Sequence, residues 1–260
     1  MALDLNGNIV NNITLGAQGQ SLNHIIQDSL VLYLDAANKN SYPGSGTSWY
    51  DLSGNGYNGT LYGGTTFNSS EASGVIQLNG SGCYVGVPGI NLSSSNFTVI
   101  AAARYTSGSG RIISGLNNNW LLGHWSNSVA NYYSVGWVSS VGAGGSDTNW
   151  RIYAGTGNLS SGVYSMYIDG VLNISAGGGT AGPNGLCLGG YGPGGPSEYS
   201  YGQIGFVLAY NRVLTANEIN QTYGTLMKRY SSTSGGYYNC GYGCQYYTYN
   251  PGCSTCIRYS

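Results

Sequence analysis

Four cysteines near the C-terminus, Cys240, Cys244, Cys253 and Cys256, form the sharpest pattern of reactive side chains in the 260-residue chain. Their spacing, Cys-x-x-x-Cys and then Cys-x-x-Cys after a further eight residues, allows two chemistries. Four thiolates can hold one Zn²⁺ in a small structural knuckle, or the four can close two disulfides that staple a tail too short to have a core. The neighbours Tyr237, Tyr238, Tyr242, Tyr246 and Tyr247 and the interleaved Gly offer none of the Lys, Arg or His common beside zinc knuckles. A particle released into an oxidising medium would form the bridges, so the disulfide reading is preferred, with the connectivity open. Cys83 and Cys187 lie far from this tail in strand-like contexts and read as small buried apolar residues rather than halves of a bridge.

Catalytic groups are scarcer. Glycoside hydrolysis by retention needs two carboxyl groups roughly 5 Å apart, and no Glu-x-Asp-x-x-Glu or similar run occurs; Glu71, Glu198 and Glu218 stand alone. A Ser-His-acid triad would have to use His24 or His124, and neither lies in a nucleophile-elbow context. The expectation is a protein without enzymatic activity. Aromatic rings are the better candidates for binding. Trp120, Trp125 and Trp137, with Tyr132 and Tyr133, fall on or near central strands, where sugars could stack on ring faces while Asn and Asp take hydroxyls. For any single Trp a buried core ring is the stronger explanation. The chain's 25 Tyr, however, are too many to bury, and an exposed Tyr-rich face points to contact.

Composition narrows the partners. Lys and Arg number 8 against 9 Asp and Glu, for a net charge of −1 and 7% charged residues, which cannot supply the phosphate contacts of a nucleic-acid interface. No apolar run reaches the roughly 20 residues of a membrane helix, and Met1-Ala2-Leu3-Asp4-Leu5-Asn6 lacks the basic start and apolar stretch of a secretory leader. Neither membrane insertion nor export by that route is expected.

The elements that must position these residues are mainly strands. Short β-branched and aromatic runs alternate with clusters of Gly, Ser and Asn, the pattern of an antiparallel sandwich or barrel. Strands are predicted at residues 29–35, 75–78, 83–87, 97–105, 111–114, 120–124, 132–137, 150–154 and 203–210. Asp169-Gly170 between two extended runs predicts a tight type I′ hairpin. One helix is expected from Thr215, because Thr215-Ala216-Asn217-Glu218 has capping-box spacing and Ile219, Tyr223, Leu226 and Met227 follow as an apolar stripe. It reads as a packing helix that closes one end of the sandwich. Residues 1–28 and 231–260 differ in composition and read as an N-terminal attachment or oligomerisation segment and a Tyr/Gly/Cys-rich tail around a central domain at 29–230.

Three stretches together resemble the laminin-G-like members of the concanavalin A-like lectin and glucanase superfamily. These are Leu32-Tyr33-Leu34-Asp35-Ala36-Ala37 with the Pro43-Gly44-Ser45-Gly46-Thr47 and Asp51-Leu52-Ser53-Gly54 elements, the Tyr167-Ile168-Asp169-Gly170 hairpin, and Gly205 to Ile219. The resemblance covers about residues 29–230 and implies an all-β, two-sheet antiparallel jelly roll of about a dozen strands, with one short C-terminal helix and non-core tails. It also implies a surface that in relatives often binds carbohydrate or protein. Related domains commonly hold Ca²⁺, for which Asp35 and Asp51 are the available ligands; a turn role for Asp51 and a strand-end role for Asp35 are preferred, since Ca²⁺ takes six to eight oxygens.

The opening motif looks most like versions in bacteriophage structural proteins. The resulting expectation is a virion protein, made in the host cytoplasm as a capsid decoration or tail-fibre component. Its partners would be copies of itself, other virion proteins and cell-surface polysaccharide. An extracellular carbohydrate-binding module and a self-assembling coat or filament subunit without sugar binding are the alternatives.

Overall fold

The computed structural model describes residues 25–230 together with two short paired strands, β1 (Ala2–Leu3) and β2 (Ile9–Val10). His24, Cys240, Cys244, Cys253 and Cys256, and with them the disulfide or zinc alternative, lie outside the described residues. In chain order the remaining elements are β3 (Leu30–Asp35), β4 (Ser48–Trp49), β5 (Gly59–Tyr62), β6 (Thr66–Asn68), β7 (Val75–Asn79), β8 (Tyr84–Asn91) and β9 (Phe97–Tyr105). They continue with β10 (Ile113–Gly115), β11 (Trp120–Trp125), β12 (Ser128–Ser134), β13 (Arg151–Asn158), β14 (Val163–Ile168), β15 (Val171–Ala176), β16 (Asn184–Leu188), β17 (Tyr201–Tyr210) and the helix α1 (Ala216–Leu226).

The strands form two antiparallel sheets. A seven-stranded sheet runs β12-β11-β10-β16-β8-β5-β4, and an eight-stranded sheet runs β15-β14-β13-β9-β17-β7-β6 with β3 also paired to β17. Inward residues of both sheets make the main core, including Leu32, Val85, Phe97, Trp120, Leu122, Tyr132, Tyr153 and Val207. This is the two-sheet sandwich expected from the alternating pattern.

A second core explains why β9 reads Phe-Thr-Val-Ile-Ala-Ala-Ala-Arg-Tyr with almost no alternation. Val99, Ala101 and Ala103 face the main core, while Ile100 and Ala102 face the opposite way, with Ile152, Ala154, Phe206 and Leu208, onto Ile219 and Leu226 of α1. Strands buried on both faces lose their polar half-pattern. The helix therefore covers the outer face of the eight-stranded sheet instead of closing one end of the sandwich. Its start is as the residues dictate: Thr215 accepts from the Glu218 amide, and the Glu218 carboxylate accepts from the Thr215 amide. Ile25 is buried in the same cluster and Asp28 pairs with Arg212, so packed structure begins before residue 29.

The predicted hairpin is present. Asp169 and Gly170 have φ of 53° and 79°, the two positive values a type I′ turn requires, and Ile168 pairs with Val171. The predicted strand at 132–137 lies earlier in the chain: β12 runs Ser128–Ser134, and Val135 (φ 52°) and Gly136 turn the chain back. Among the described residues no helix is long and apolar enough to cross a membrane.

Candidate functional site

Trp125 closes β11, Tyr133 lies on β12, and the turn at Val135 and Gly136 returns Trp137 onto Tyr133 through an isolated β-bridge. The return is held by Ser134 N–H to Gly136 O at 2.8 Å and by Thr180 Oγ1 to Val135 O at 2.9 Å. Gly136 is needed here because a Cβ would overlap the Gly178 carbonyl oxygen. The three rings consequently touch. Trp125 and Trp137 centroids are 5.5 Å apart, and Tyr133 meets Trp137 edge-on at 5.1 Å. All three are partly exposed.

The other two aromatic candidates are elsewhere. Trp120 and Tyr132 are 0% exposed and point into the main core. Each meets the other edge-on at 6.1 Å, and the Tyr132 hydroxyl donates to Thr156 O at 2.9 Å. On a strand the side chains alternate, so Tyr132 faces inward because Tyr133 faces outward. Neither core ring has a face for a ligand.

A charged pair orders the Trp125 end of the platform. Glu198 Oε2 accepts from Arg111 Nε at 2.8 Å and from Trp125 Nε1 at 2.9 Å. Arg111 also donates to Asn119 Oδ1 at 2.8 Å and stacks 4.4 Å from the Tyr191 ring centroid. Arg111, Tyr191 and Asn119 were not singled out from the sequence, and Glu198 was noted only as an isolated carboxylate. Arg111 and Glu198 are 87 residues apart, so no local motif joins them. The available signal was a lone acid between two Tyr in the Gly/Pro-rich run Tyr191-Gly192-Pro193-Gly194-Gly195-Pro196-Ser197-Glu198-Tyr199.

Both proposed Ca²⁺ ligands are engaged. Asp51 accepts from the amides of Tyr33, Ser53 and Tyr57 and from the Ser53 hydroxyl, all within 3.0 Å, which is the work of a turn aspartate. Asp35 takes both terminal nitrogens of Arg229 at 2.7 and 3.1 Å, the Ala37 amide and the Tyr33 hydroxyl. Among the described residues no group of three or more His, Cys, Asp or Glu could hold a metal ion.

Other reactive residues are occupied or inert. Glu71 pairs with Arg104, Asp147 and Asp169 with Arg151, and Glu218 with Arg212. His124 is fully buried between Tyr105 and Tyr153, and burial pushes its pKa down to about 3. Cys83 and Cys187 are free and buried, and burial pushes the Cys187 thiol up to about 12.

The family model for the concanavalin A-like lectin/glucanases superfamily matches residues 79–220, and the chain belongs to that superfamily. No curated protein sequence matches the chain. Solved structures share its fold at low identity. Domain 4 of AbnA, an extracellular arabinanase from Geobacillus stearothermophilus, in complex with arabinotriose, has TM-score 0.57 at 17% identity over 75% of this chain and 98% of that one. Trypanosoma rangeli sialidase in complex with sialic acid has TM-score 0.57 at 16% identity over 83% of this chain and 35% of the sialidase. Botulinum neurotoxin type C, which interacts with two ganglioside molecules, has TM-score 0.54 at 16% identity over 77% and 52%. The chain therefore spans about a third of the sialidase and about half of the neurotoxin chain.

Proposed function

We propose that the chain is a non-catalytic glycan-binding module whose contact surface is Trp125, Tyr133 and Trp137. The observation that carries this reading is the contact of three partly exposed rings beside a polar group already oriented toward them, Glu198 on Trp125 Nε1. Ring faces supply area that stacks against a sugar's C–H surface at low entropic loss, and Asn119 and Glu198 offer polar atoms to hydroxyls at the rim. The arabinotriose complex of a domain with this fold supports the reading. Absence of catalysis is part of the proposal: among the described residues the acidic side chains at 28, 35, 71, 147, 169, 198 and 218 are paired with arginines, Asp147 and Asp169 sharing Arg151, and Asp51 is held by turn amides. In an array of neutral and anionic oligosaccharides, Trp137→Ala should weaken the best ligand at least about tenfold with the melting temperature near wild type. Equal affinity in the variant would overturn the assignment.

We further propose that this module is displayed on a virion, contacting copies of itself, other virion proteins and host-surface glycan. The support is the opening run from Leu32 to Gly54 and the low charge, which favours association. Because Ile25 packs in the second core, the test removes residues 1–24 only. The truncated protein should fold and fail to enter particles; normal incorporation would favour an extracellular module acting alone.

A further inference from the structure

The outer strands of the two sheets end in different ways. On β12 the following loop takes the outward groups: Ala130 N–H donates to Ala143 O at 3.0 Å, Tyr132 N–H to Ser139 Oγ at 2.8 Å, and Tyr132 O accepts from Val138 N–H at 3.0 Å. β3 is closed likewise, since Tyr33 N–H donates to Asp51 and Tyr33 O accepts from Leu52 N–H. β4 and β6 are only two and three residues long. β15 has neither protection. Every second residue of an edge strand aims its N–H and C=O out of the sheet, and among the described residues Val171–Ala176 make no backbone hydrogen bond except to β14.

Nor does the sequence of this strand blunt its edge. Val171-Leu172-Asn173-Ile174-Ser175-Ala176 contains no charge and no Pro, the residues that ordinarily guard such strands. Its one irregularity is a bulge: Met166 pairs with Ile174 and Tyr167 with Leu172, so Asn173 is the extra residue. Val171 and Leu172 stand 66% and 52% exposed. An apolar pocket opens beside them, between the two sheets. It measures about 310 Å³ and is lined by Val129 and Ala130 of β12, Ile168 of β14, and Val171 and Leu172 of β15, with Arg151 in its wall. Asp147 and Asp169 both bind that arginine, at 2.6 and 3.1 Å, so the wall carries one net negative charge.

These features identify the occupant. Main-chain donors and acceptors repeating along a strand are matched by another extended backbone, and an adjoining pocket then selects its alternate side chains. The pocket takes an apolar side chain, and the surplus carboxylate takes a cation. A second copy fits less well, because it would bring the same bulge and the same negative wall, and two identical bulged edges lose register across Asn173.

We propose that β15 is a docking edge for an extended segment of another protein, which adds a further strand to the eight-stranded sheet. An apolar residue of that segment fills the pocket, and a Lys or Arg lies beside Asp147 and Asp169. The surface uses none of the residues of the aromatic platform.

The experiment titrates the full chain with an acetylated, amidated peptide of alternating Val and Lys and with its Val and Glu counterpart. The Lys form should bind about threefold more tightly than the Glu form, and hydrogen exchange should slow within Val171–Ala176. Val171→Ser/Leu172→Ser, which changes only exposed side chains, should weaken binding about tenfold. Two further peptides carry N-methyl groups on all Val or on all Lys amides; each blocks one edge of the peptide, and one of the two should no longer bind. Equal binding by both, unslowed amides, or an unchanged affinity in the double variant overturns strand addition at this edge. Tighter binding of the Glu form overturns the cationic partner, and no binding by any peptide overturns the proposal while leaving the glycan platform untouched. Slow exchange in β15 without peptide would mean that a second copy or the chain's own tail already fills the edge; sedimentation separates the two, and either overturns the foreign partner.

Discussion

Replacement of Arg229 by methionine is expected to destabilise the protein by about 3–5 kcal/mol, the usual penalty when one partner of a buried ion pair is removed. The side chains of Arg229 and Asp35 are only 18% and 5% exposed, and the guanidinium meets both carboxylate oxygens. Without it Asp35 keeps its contacts with the Tyr33 hydroxyl and the Ala37 amide, yet holds an uncompensated charge against the core. The pair also ties the turn after α1 to β3, 194 residues earlier, so its loss loosens the helix that covers the outer face of the eight-stranded sheet. Arg229→Met combined with Asp35→Leu should recover much of the loss, because the stranded charge is then gone. Urea unfolding of the two singles and the double measures the coupling. A single-variant loss below about 1 kcal/mol would mean that the pair behaves as a solvent-screened surface contact.

Acidification should weaken the fold before most carboxylates begin to protonate. His124 has a native pKa near 3 against an ordinary 6.5, because its ring is buried. Between those values the unfolded chain binds a proton that the native chain does not, so stability falls as pH falls from about 6.5, at up to about 1.4 kcal/mol per pH unit. Glu218 follows the same linkage in a lower window. Its hydrogen bonds from Arg212 hold its pKa near 2, so its contribution is present above 4.5 and is lost as pH falls through about 2. Between pH 6.5 and 5 the slope therefore belongs mainly to His124. His124→Leu should be less stable at pH 7, where a cavity and altered ring packing dominate, but its unfolding free energy should be nearly flat across that interval. A variant with the wild-type slope would assign the acid sensitivity elsewhere.

The parts of the fold that were legible in the sequence are those set by local chemistry. Asp169-Gly170 specifies its turn wherever it occurs, and Thr215 and Glu218 cap a helix through neighbouring amides. β9 was legible because nine residues of nearly uninterrupted apolar character can only be a doubly covered strand or a buried helix, and Phe97-Thr98-Val99-Ile100 favours the strand. Where the helix packs was not legible, since the residues that receive it come from β9, β13 and β17, far apart in the chain. The site divided in the same way. Tyr132 and Tyr133 look alike in composition, and one residue of register decides that the first is core and the second surface. Trp137 reaches the platform through a reversal at Val135, a β-branched residue whose positive φ no propensity would suggest. Arg111 and Glu198 meet only after the sandwich has closed.

The position of β17 governs how the chain can be synthesised. Along one side it pairs with β9; along the other, Tyr201–Ile204 pair with β7 and Phe206–Tyr210 with β3. A strand near the end of the domain is thus the seam that joins segments made at its beginning. At ribosomal rates of roughly 5–20 residues per second, Leu34 waits on the order of ten to thirty seconds before its partner Val207 has been translated. Throughout that interval the backbone edges of β3, β7 and β9 lack their final neighbour, and their largely apolar faces are open to other nascent chains. Ribosome-bound fragments ending before residue 210 should consequently depend on holding chaperones, and a premature stop there would yield aggregate rather than a smaller folded domain.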